Sequence, residues 1–229
     1  MMRRMLFGPR PFHDRADAGR RLAQLLQAYR GPDAIVLALP RGGVEVGYEV
    51  ARLLGAPLDV IVARKLGAPA QRELGIGAIA PGGVRVLDRD TIALLGIPPA
   101  QIDAVVAEET AEMERRERAF RGGLPAPDLA GCSVILVDDG LATGVTARAA
   151  IRAIRAARPR RIVLAVPVCP PETAAALRSE VDELVCVESP ADFLAVGRWY
   201  ENFDQTSDEE VIELLARARR ETPPRPHVD

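Results

Sequence analysis

The sequence contains few side chains that bind transition metals or form disulfide bonds. Its 229 residues include two histidines, His13 and His227, and three cysteines. The histidines lie near opposite ends of the chain, and no two cysteines have the C-x-x-C spacing of zinc or redox sites. We therefore expect no imidazole-based metal site. We interpret the cysteines, which lie in or beside apolar runs, as buried reduced thiols.

The sequence also lacks a strong excess of charge of either sign. With 30 basic and 32 acidic residues its net charge is -2, and its isoelectric point is about 5.9. Without a long-range basic field, the chain is not expected to bind nucleic acid or an anionic membrane. Lysine occurs once, at Lys65, and the other basic residues are arginines. Any phosphate site must then be built from a few local groups.

Long apolar runs are missing as well. No stretch is long enough to span a membrane, and the first twelve residues contain arginines without the apolar segment of a signal peptide. We therefore expect a cytoplasmic protein. The length suits one α/β domain with appendages, so a single domain over residues 1–229 is expected.

The most informative segment is residues 134–146, Val-Ile-Leu-Val-Asp-Asp-Gly-Leu-Ala-Thr-Gly-Val-Thr. Its apolar, mostly β-branched start predicts a strand covered on both faces, as in a parallel sheet between helices. Asp138 and Asp139 end this strand, and a helix is predicted over residues 146–157. Open α/β sheets bind their ligands at such carboxyl ends of strands.

This order of groups suits a sugar phosphate. Backbone N–H groups at the start of the predicted helix, together with the hydroxyls of Thr143 and Thr146, can bind a phosphate. The carboxylates of Asp138 and Asp139 can accept charge-assisted hydrogen bonds from a neighbouring ribose diol. A Walker loop would require a lysine here, and the segment has none. The alternative is an ordinary strand-to-helix turn with an aspartate cap.

Residues 137–146 resemble the binding motif for phosphoribosyl diphosphate (PRPP) of the type I phosphoribosyltransferases. That motif is an apolar strand, two acidic residues, three variable positions and Thr-Gly-x-Thr, and the segment fits it throughout. The resemblance implies that Asp138 and Asp139 hold the ribose hydroxyls and that Asp139 is also catalytic. It implies a 5'-phosphate site formed by Ala142, Thr143, Gly144, Val145 and Thr146.

Two of these positions depart from common family patterns. Val145 stands where glycine is frequent, but that position would contribute mainly its backbone N–H. Family members that use 6-oxopurines usually carry an aspartate where this chain has Ala142, whereas adenine-type members carry alanine. The resemblance therefore implies a nitrogenous base as acceptor, purine-like or other.

A second glycine-containing turn follows a strand predicted at residues 34–39. Pro40-Arg41-Gly42-Gly43 leads into a helix predicted over residues 44–54. Glycine lets backbone approach a ligand closely, and arginine pairs with phosphate oxygens. The resemblance implies that Arg41, Gly42 and Gly43 bind the pyrophosphate of PRPP. From the residues alone, a plain strand-to-helix connection is the alternative.

Arg64 and Lys65 follow a third strand, predicted at residues 58–63. The glycine-, alanine- and proline-rich passage after them, up to Gly77, predicts a mobile loop. In type I transferases a flexible loop after a basic residue closes over the substrates. The resemblance therefore implies catalytic roles for Arg64 and Lys65, with Lys65 also contacting pyrophosphate.

Strands and helices alternate through the rest of the chain. This alternation predicts a doubly wound, mainly parallel sheet of about five strands with flanking helices. Residues 34–188 would form the core. A small hood would come from the termini, with residues 189–220 and a helix at 14–29; Ser207 and Glu210 predict a capping box at the start of the last helix.

The stretch at residues 193–203 is rich in aromatic residues, although the chain is only 4% aromatic. Family members cover the base with such a hood, which implies base contacts for Phe193, Trp199 and Tyr200, and ring stacking suits a flat heterocycle. The alternative is that these rings pin the tail to the core. Mg²⁺ is expected on PRPP itself, with Glu201 as the candidate that reaches it through water.

Taken together, the resemblance implies a Mg²⁺-dependent phosphoribosyltransferase. It would move 5-phosphoribosyl from PRPP to the base and release pyrophosphate. The alternative is a PRPP-sensing regulatory protein that keeps the binding site without turnover. The basic pair Arg64 and Lys65 and the lack of a basic helix for nucleic acid favour the enzyme. The sequence leaves the oligomeric state open, a homo-oligomer included.

Overall fold

The computed structural model describes residues 12–222 of the chain. The α-helices of this part are α1 (Arg15–Leu25), α2 (Gly42–Leu54), α3 (Arg89–Leu94), α4 (Pro99–Arg121), α5 (Val145–Ala156), α6 (Pro171–Arg178) and α7 (Asp208–Glu221). The strands are β1 (Ala34–Ala38), β2 (Leu58–Val60), β3 (Arg64–Ala68), β4 (Gln71–Ala80), β5 (Val84–Leu87), β6 (Ser133–Val137), β7 (Arg161–Val168) and β8 (Glu183–Glu188).

Five of the strands form a parallel sheet in the order β2-β1-β6-β7-β8. All residues of β1 and β6 are buried, as expected for strands with helices on both faces. The chain runs outward from β1 to β2, returns to β6 on the other side of β1, and continues to β7 and β8. The predicted doubly wound fold is confirmed, and its topological switch point lies between β1 and β6.

Alternate residues of these strands face two apolar layers. On one face Val36, Ile135 and Val163 pack with helices α1, α2, α4 and α7. On the other face Leu136 and Leu164 pack with α5 and α6. The period-2 alternation of side chains along a strand thus builds a core on each side of the sheet.

A second, antiparallel sheet in the order β3-β4-β5 is the main departure from the predicted fold. The prediction of a mobile loop after Lys65, up to Gly77, is wrong, because β3 and β4 form a hairpin there. Leu66 and Ile76 are fully buried in the same apolar cluster as Met113 of α4. Their burial orders a segment whose composition is typical of a loop. The turn at Gly82-Gly83 joins β4 to β5.

Other boundaries differ from the prediction. The strand predicted at residues 58–63 ends at Val60 as β2, and α2 begins at Gly42, so that the glycines of the first turn belong to the helix. The capping box of α7 is confirmed by Glu210 N, which donates to Ser207 Oγ at 3.1 Å, and by Ser207 N, which donates to Glu210 Oε2 at 2.7 Å.

The chain segment after β8 returns to the carboxyl edge of the sheet. Phe12 bridges to Tyr200 there, and its N–H donates to the Trp199 carbonyl at 2.7 Å. None of the helices in residues 12–222 has the length and apolar character needed to cross a membrane. The predictions for His227 and for most of the first twelve residues fall outside the described residues.

The cysteines are reduced in the structure. Cys132 and Cys169 are buried, and Cys186 is half-buried. Burial raises the pKa of the Cys169 thiol to about 11 and that of Cys186 to about 12. Such thiols stay protonated and unreactive at neutral pH.

Candidate active site

The carboxyl ends of β1 and β6 lie side by side at the switch point. Leu39 N donates to the Val137 carbonyl at 2.8 Å, so the turn after β1 meets the two acidic residues after β6. A Cβ atom on Gly42 would lie 2.0 Å from Asp139 Oδ2, and one on Gly43 would lie 3.0 Å from Asp138 Cα. Only glycine therefore allows the first turn of α2 to approach Asp138 and Asp139, which we call the diacid.

Arg41 lies on the same turn and is half-buried. Its peptide bond to Pro40 is cis. The guanidinium Nη1 lies 3.6 Å from Asp208 Oδ1 at the start of α7. A cationic side chain therefore stands beside the glycine turn, weakly paired with a neighbouring helix.

The diacid carries two carboxyl groups in a poorly solvated position. Asp138 Oδ1 accepts a hydrogen bond from Asp139 N at 2.9 Å. Burial raises the pKa of Asp138 well above its ordinary value, and the adjacent charge of Asp139 raises it further. Burial also raises the pKa of Asp139, but Arg15 opposes that effect. Asp139 is therefore the member of the pair that carries the negative charge more readily.

Arg15 is a site residue that the sequence analysis missed. It is only 7% exposed, and its Nε donates to Asp139 Oδ2 at 2.8 Å. Its Nη1 donates to the Asp204 carbonyl at 2.6 Å, and its Cζ lies 4.0 Å from the centroid of the Phe203 ring. A sequence signal was present, because Arg15 stands at helical spacing with Ala18 and Leu22 on the buried face of α1.

The loop between the diacid and α5 exposes backbone donors. Gly144 precedes α5 with φ +68, and a Cβ atom there would lie 2.7 Å from Leu177. No side chain among the described residues caps the N-terminus of α5. Ala142 and Thr143 are exposed, and Val145 and Thr146 are half-buried. The first N–H groups of α5 are thus available to an anion at the end of the loop.

The hairpin separates the two basic residues that the sequence analysis paired. Arg64 Nε donates to Glu109 Oε2 of α4 at 2.7 Å. Lys65 lies on the opposite face of β3, where its cross-strand partner Ala78 packs against Ala149 of α5. The charge of Lys65 is the smallest of the influences on the pKa of Asp138, and it lowers that pKa. The structure therefore brings Lys65, and not Arg64, toward the diacid.

The aromatic residues of the tail have different environments. Tyr200 is buried, its hydroxyl donates to the Asp139 carbonyl at 2.5 Å, and its ring centroid lies 5.3 Å from that of Phe12 and 4.9 Å from that of Phe203. Phe193 and Trp199 are half-buried beside it. Tyr200 thus pins the tail to the diacid strand, whereas Phe193 and Trp199 keep exposed ring surface.

Glu201 is exposed, and its Oε2 lies 2.9 Å from His13 Nδ1. Within residues 12–222, no three or more histidine, cysteine, aspartate or glutamate side chains are grouped so that they could hold a metal ion. A divalent cation in this site would therefore be held mainly by oxygens of a bound ligand and by water.

Comparison with known protein families identifies the class of this site. The family model described as phosphoribosyl transferase domain matches residues 13–202, which include every candidate residue described above. The chain belongs to the phosphoribosyl transferase family. The match extends through Tyr200 and Glu201, so the segment that packs against the diacid is part of the family domain.

Two curated relatives, from the CDC 1551 / Oshkosh and ATCC 25618 / H37Rv strains of Mycobacterium tuberculosis, are provisionally named as phosphoribosyl transferases. Each is 49% identical over 210 residues, which cover 92% of this chain and 47% of the relative. The chain thus spans about half the length of the curated relatives it matches. The solved structure of TT1426 from Thermus thermophilus is 39% identical, with a TM-score of 0.76, and the match covers 90% of this chain and 98% of that one.

Proposed function

We propose that this phosphoribosyl transferase domain is an enzyme that moves 5-phosphoribosyl from PRPP to a nitrogenous base, purine-like or other, and releases pyrophosphate. The observation that supports this most strongly is the meeting of three elements at one switch point. These are the diacid, the glycine turn at Gly42 and Gly43, and the uncapped N-terminus of α5. A diol, a pyrophosphate and a phosphate are the groups that such elements bind.

Each part of PRPP has a proposed partner. Asp138 and Asp139 accept hydrogen bonds from the ribose hydroxyls. The backbone N–H groups of residues 142–146, with the hydroxyls of Thr143 and Thr146, hold the 5'-phosphate. Gly42 and Gly43 bring backbone close to the pyrophosphate, and Arg41 supplies charge beside them.

In the proposed reaction, the bond from C1 of the ribose to pyrophosphate breaks, and its electron pair leaves with the pyrophosphate. The base nitrogen forms the new bond to C1, and the proton that it loses passes to solvent water. Positive charge develops at C1 and negative charge on the leaving group, so the protein acts by positioning and charge stabilisation. Lys65 is the proposed cation for the leaving group. Arg64 takes part only if its ion pair with Glu109 opens.

Mg²⁺ suits this site. It usually keeps several waters and binds to substrate phosphates, so bound PRPP would supply its direct ligands. When bound, Mg²⁺ would neutralise charge on the pyrophosphate. We keep Glu201 as a candidate that reaches the ion through water, which requires its pair with His13 to open.

In the proposed enzyme, α1 and residues 189–220 form the hood over the base, within a single domain. Phe193 and Trp199 are the proposed base-contacting rings, and the contribution of Tyr200 is through the tail that it anchors. The proposed reaction takes place in the cytoplasm. No nucleic acid or membrane takes part.

Thermal unfolding with and without PRPP and Mg²⁺ tests binding. A ligand at about 100 times its dissociation constant adds roughly 2.7 kcal/mol to the free energy of unfolding. An unchanged melting temperature in millimolar ligand would reject the assignment. Screening bases for pyrophosphate release then separates the enzyme from a PRPP-sensing protein, which would bind PRPP but release no pyrophosphate with any base.

A further inference from the structure

Three segments that are distant in sequence meet at the guanidinium of Arg15. Its Nε contacts Asp139, which lies 124 residues away, and its Nη1 contacts the Asp204 carbonyl, 189 residues away. The face of the same group stacks on Phe203 at 4.0 Å. A planar group with several fixed donors can satisfy all three partners at once, which an ammonium group cannot do.

The electrostatic surroundings of Asp139 explain why its contact with Arg15 affects its charge. Two adjacent carboxyl groups in a poorly solvated place repel each other when both are ionised. The charged and titratable groups around Asp139 come from several elements. Asp138 lies beside it, Arg15 comes from α1, and the Tyr200 hydroxyl comes from the tail. Glu45 of α2 lies 3.6 Å from Arg15 Nη1, and the charge of Lys65 on β3 acts weakly on Asp138. Arg15 is the cation in direct contact with Asp139.

We propose that Arg15 is a positioning residue of this site, which holds the Asp139 carboxylate in its charged form and fastens residues 200–204 against it. The tail is then held in place by the same ion pair that orients the diacid. Tyr200 supports this arrangement from the other side through its hydrogen bond to the Asp139 carbonyl. The role of Arg15 in ligand binding rests on the proposed function, whereas its effect on the charge of Asp139 does not.

Three variants separate charge from geometry. Arg15→Gln removes the charge, and Arg15→Lys keeps the charge but loses the fork that reaches both Asp139 and Asp204. Arg20→Gln is the matched control, because Arg20 lies on the same helix, is exposed and, among residues 12–222, forms an ion pair only with Asp17, at 4.0 Å.

The first experiment needs no ligand. A ¹³C NMR titration follows the side-chain carboxyl carbon of Asp139 in the free protein. Arg15→Gln should raise the pKa of Asp139, whereas Arg15→Lys and Arg20→Gln should leave it near that of the wild type. Unchanged titration of Asp139 in Arg15→Gln would overturn the electrostatic part of the proposal.

Hydrogen exchange tests the fastening of the tail. Amide exchange in residues 200–204 should become at least about tenfold faster in both Arg15 variants and stay unchanged in Arg20→Gln. If Arg15→Gln fails to fold, amide exchange is measured in Arg15→Lys alone. Wild-type exchange rates in Arg15→Lys would overturn the mechanical part of the proposal.

The third measurement is the dissociation constant of PRPP with Mg²⁺ as a function of pH. Arg15→Gln should weaken binding by about tenfold or more at a pH between the Asp139 pKa values of the wild type and the variant, where only the wild type has Asp139 ionised. The loss should be smaller at higher pH, where Asp139 ionises without help. An equal loss at every pH would indicate a merely structural role and reject the proposal. A wild-type protein that binds no PRPP would instead reject the proposed function, and the titration of Asp139 would still decide the role of Arg15.

Discussion

Replacing Gly42 by alanine should disturb the diacid while leaving most of the fold intact. The new Cβ would lie 2.0 Å from Asp139 Oδ2 and 2.6 Å from Arg15 Nε, the two atoms that form the 2.8 Å ion pair. Ordinary contact with a carbon atom begins near 3.4 Å, so the Asp139 oxygen has to move by more than about 1 Å. The substitution should disturb mainly the site, because Gly42 lies at the first position of α2, beside the diacid.

Two opposing effects set the magnitude. Alanine in place of glycine stabilises a helix interior by about 1 kcal/mol, and less at the first position. Crowding of packed groups costs about 1–3 kcal/mol and therefore outweighs that gain. We expect a net loss of about 1 kcal/mol, which lowers the melting temperature of a domain of this size by about 2–4 °C. A displacement of about 1 Å also costs about 10²-fold in rate.

Differential scanning calorimetry with and without PRPP and Mg²⁺ measures both the loss of stability and the loss of ligand binding. Gly75→Ala is the matched control, since a Cβ atom on Gly75 would have nothing within 4 Å. The control should keep the melting-temperature increase caused by PRPP, and Gly42→Ala should lose most of it. A Gly42→Ala protein with the full wild-type response would refute the inferred closeness of the glycine turn, Asp139 and the bound ligand.

Three further predictions rest on the same geometry. Asp138→Asn combined with Asp139→Asn should stay folded but lose PRPP affinity, by about 1.5–3 kcal/mol for each charge-assisted bond; unchanged affinity in titration calorimetry would refute the diol contact. Asp138→Asn alone should become more stable relative to the wild type as pH rises. Burial raises the pKa of Asp138, so the wild type loses the stabilising protonated form as pH rises through the folded-state pKa, and the variant does not. Urea unfolding at several pH values measures this difference in stability, and a constant difference would contradict the prediction. Lys65→Ala should slow single turnover by about 10²-fold or more while PRPP affinity changes only a few-fold, and Lys65→Arg should recover part of the rate; near-normal turnover in the alanine variant would remove Lys65 from the mechanism.

The parallel sheet and the diacid could be predicted because their signals are local. Strand β1 and, after their first residues, strands β6 and β7 are unbroken apolar runs, and each is followed closely by turn residues and a helical pattern. A buried parallel strand needs apolar side chains on both faces, so the pattern itself reports the environment. The capping box at Ser207 is local in the same sense, since both of its hydrogen bonds join residues three apart.

The hairpin at β3 and β4 could not be predicted in this way. Gly67 and Gly75 pair across it, and their presence made the segment resemble a loop. What orders it is the burial of Leu66 and Ile76 beneath α4, and that contact joins parts of the chain far apart in sequence. The separation of Arg64 from Lys65 follows from the hairpin, because neighbouring residues of a strand point to opposite faces.

Arg15 was missed for a related reason. In the sequence it is one arginine among many, and its partner in the diacid lies 124 residues away. Only its place on the buried stripe of α1 distinguishes it from the exposed Arg20 on the same helix. An arginine on an apolar helix face needs a buried partner, but the sequence does not indicate which acid provides it.

The contacts of Asp204 and Tyr200 also determine when this site can exist during protein synthesis. A nascent chain that has reached residue 188 already contains every strand of both sheets, but it lacks the tail that Arg15 fastens. At about 5–20 residues per second, the ribosome needs roughly one to three more seconds to add the residues through Asp204. The contacts of Arg15 with the tail are possible only after that interval, so every strand of both sheets is synthesised before Arg15 can join the diacid to residues 200–204.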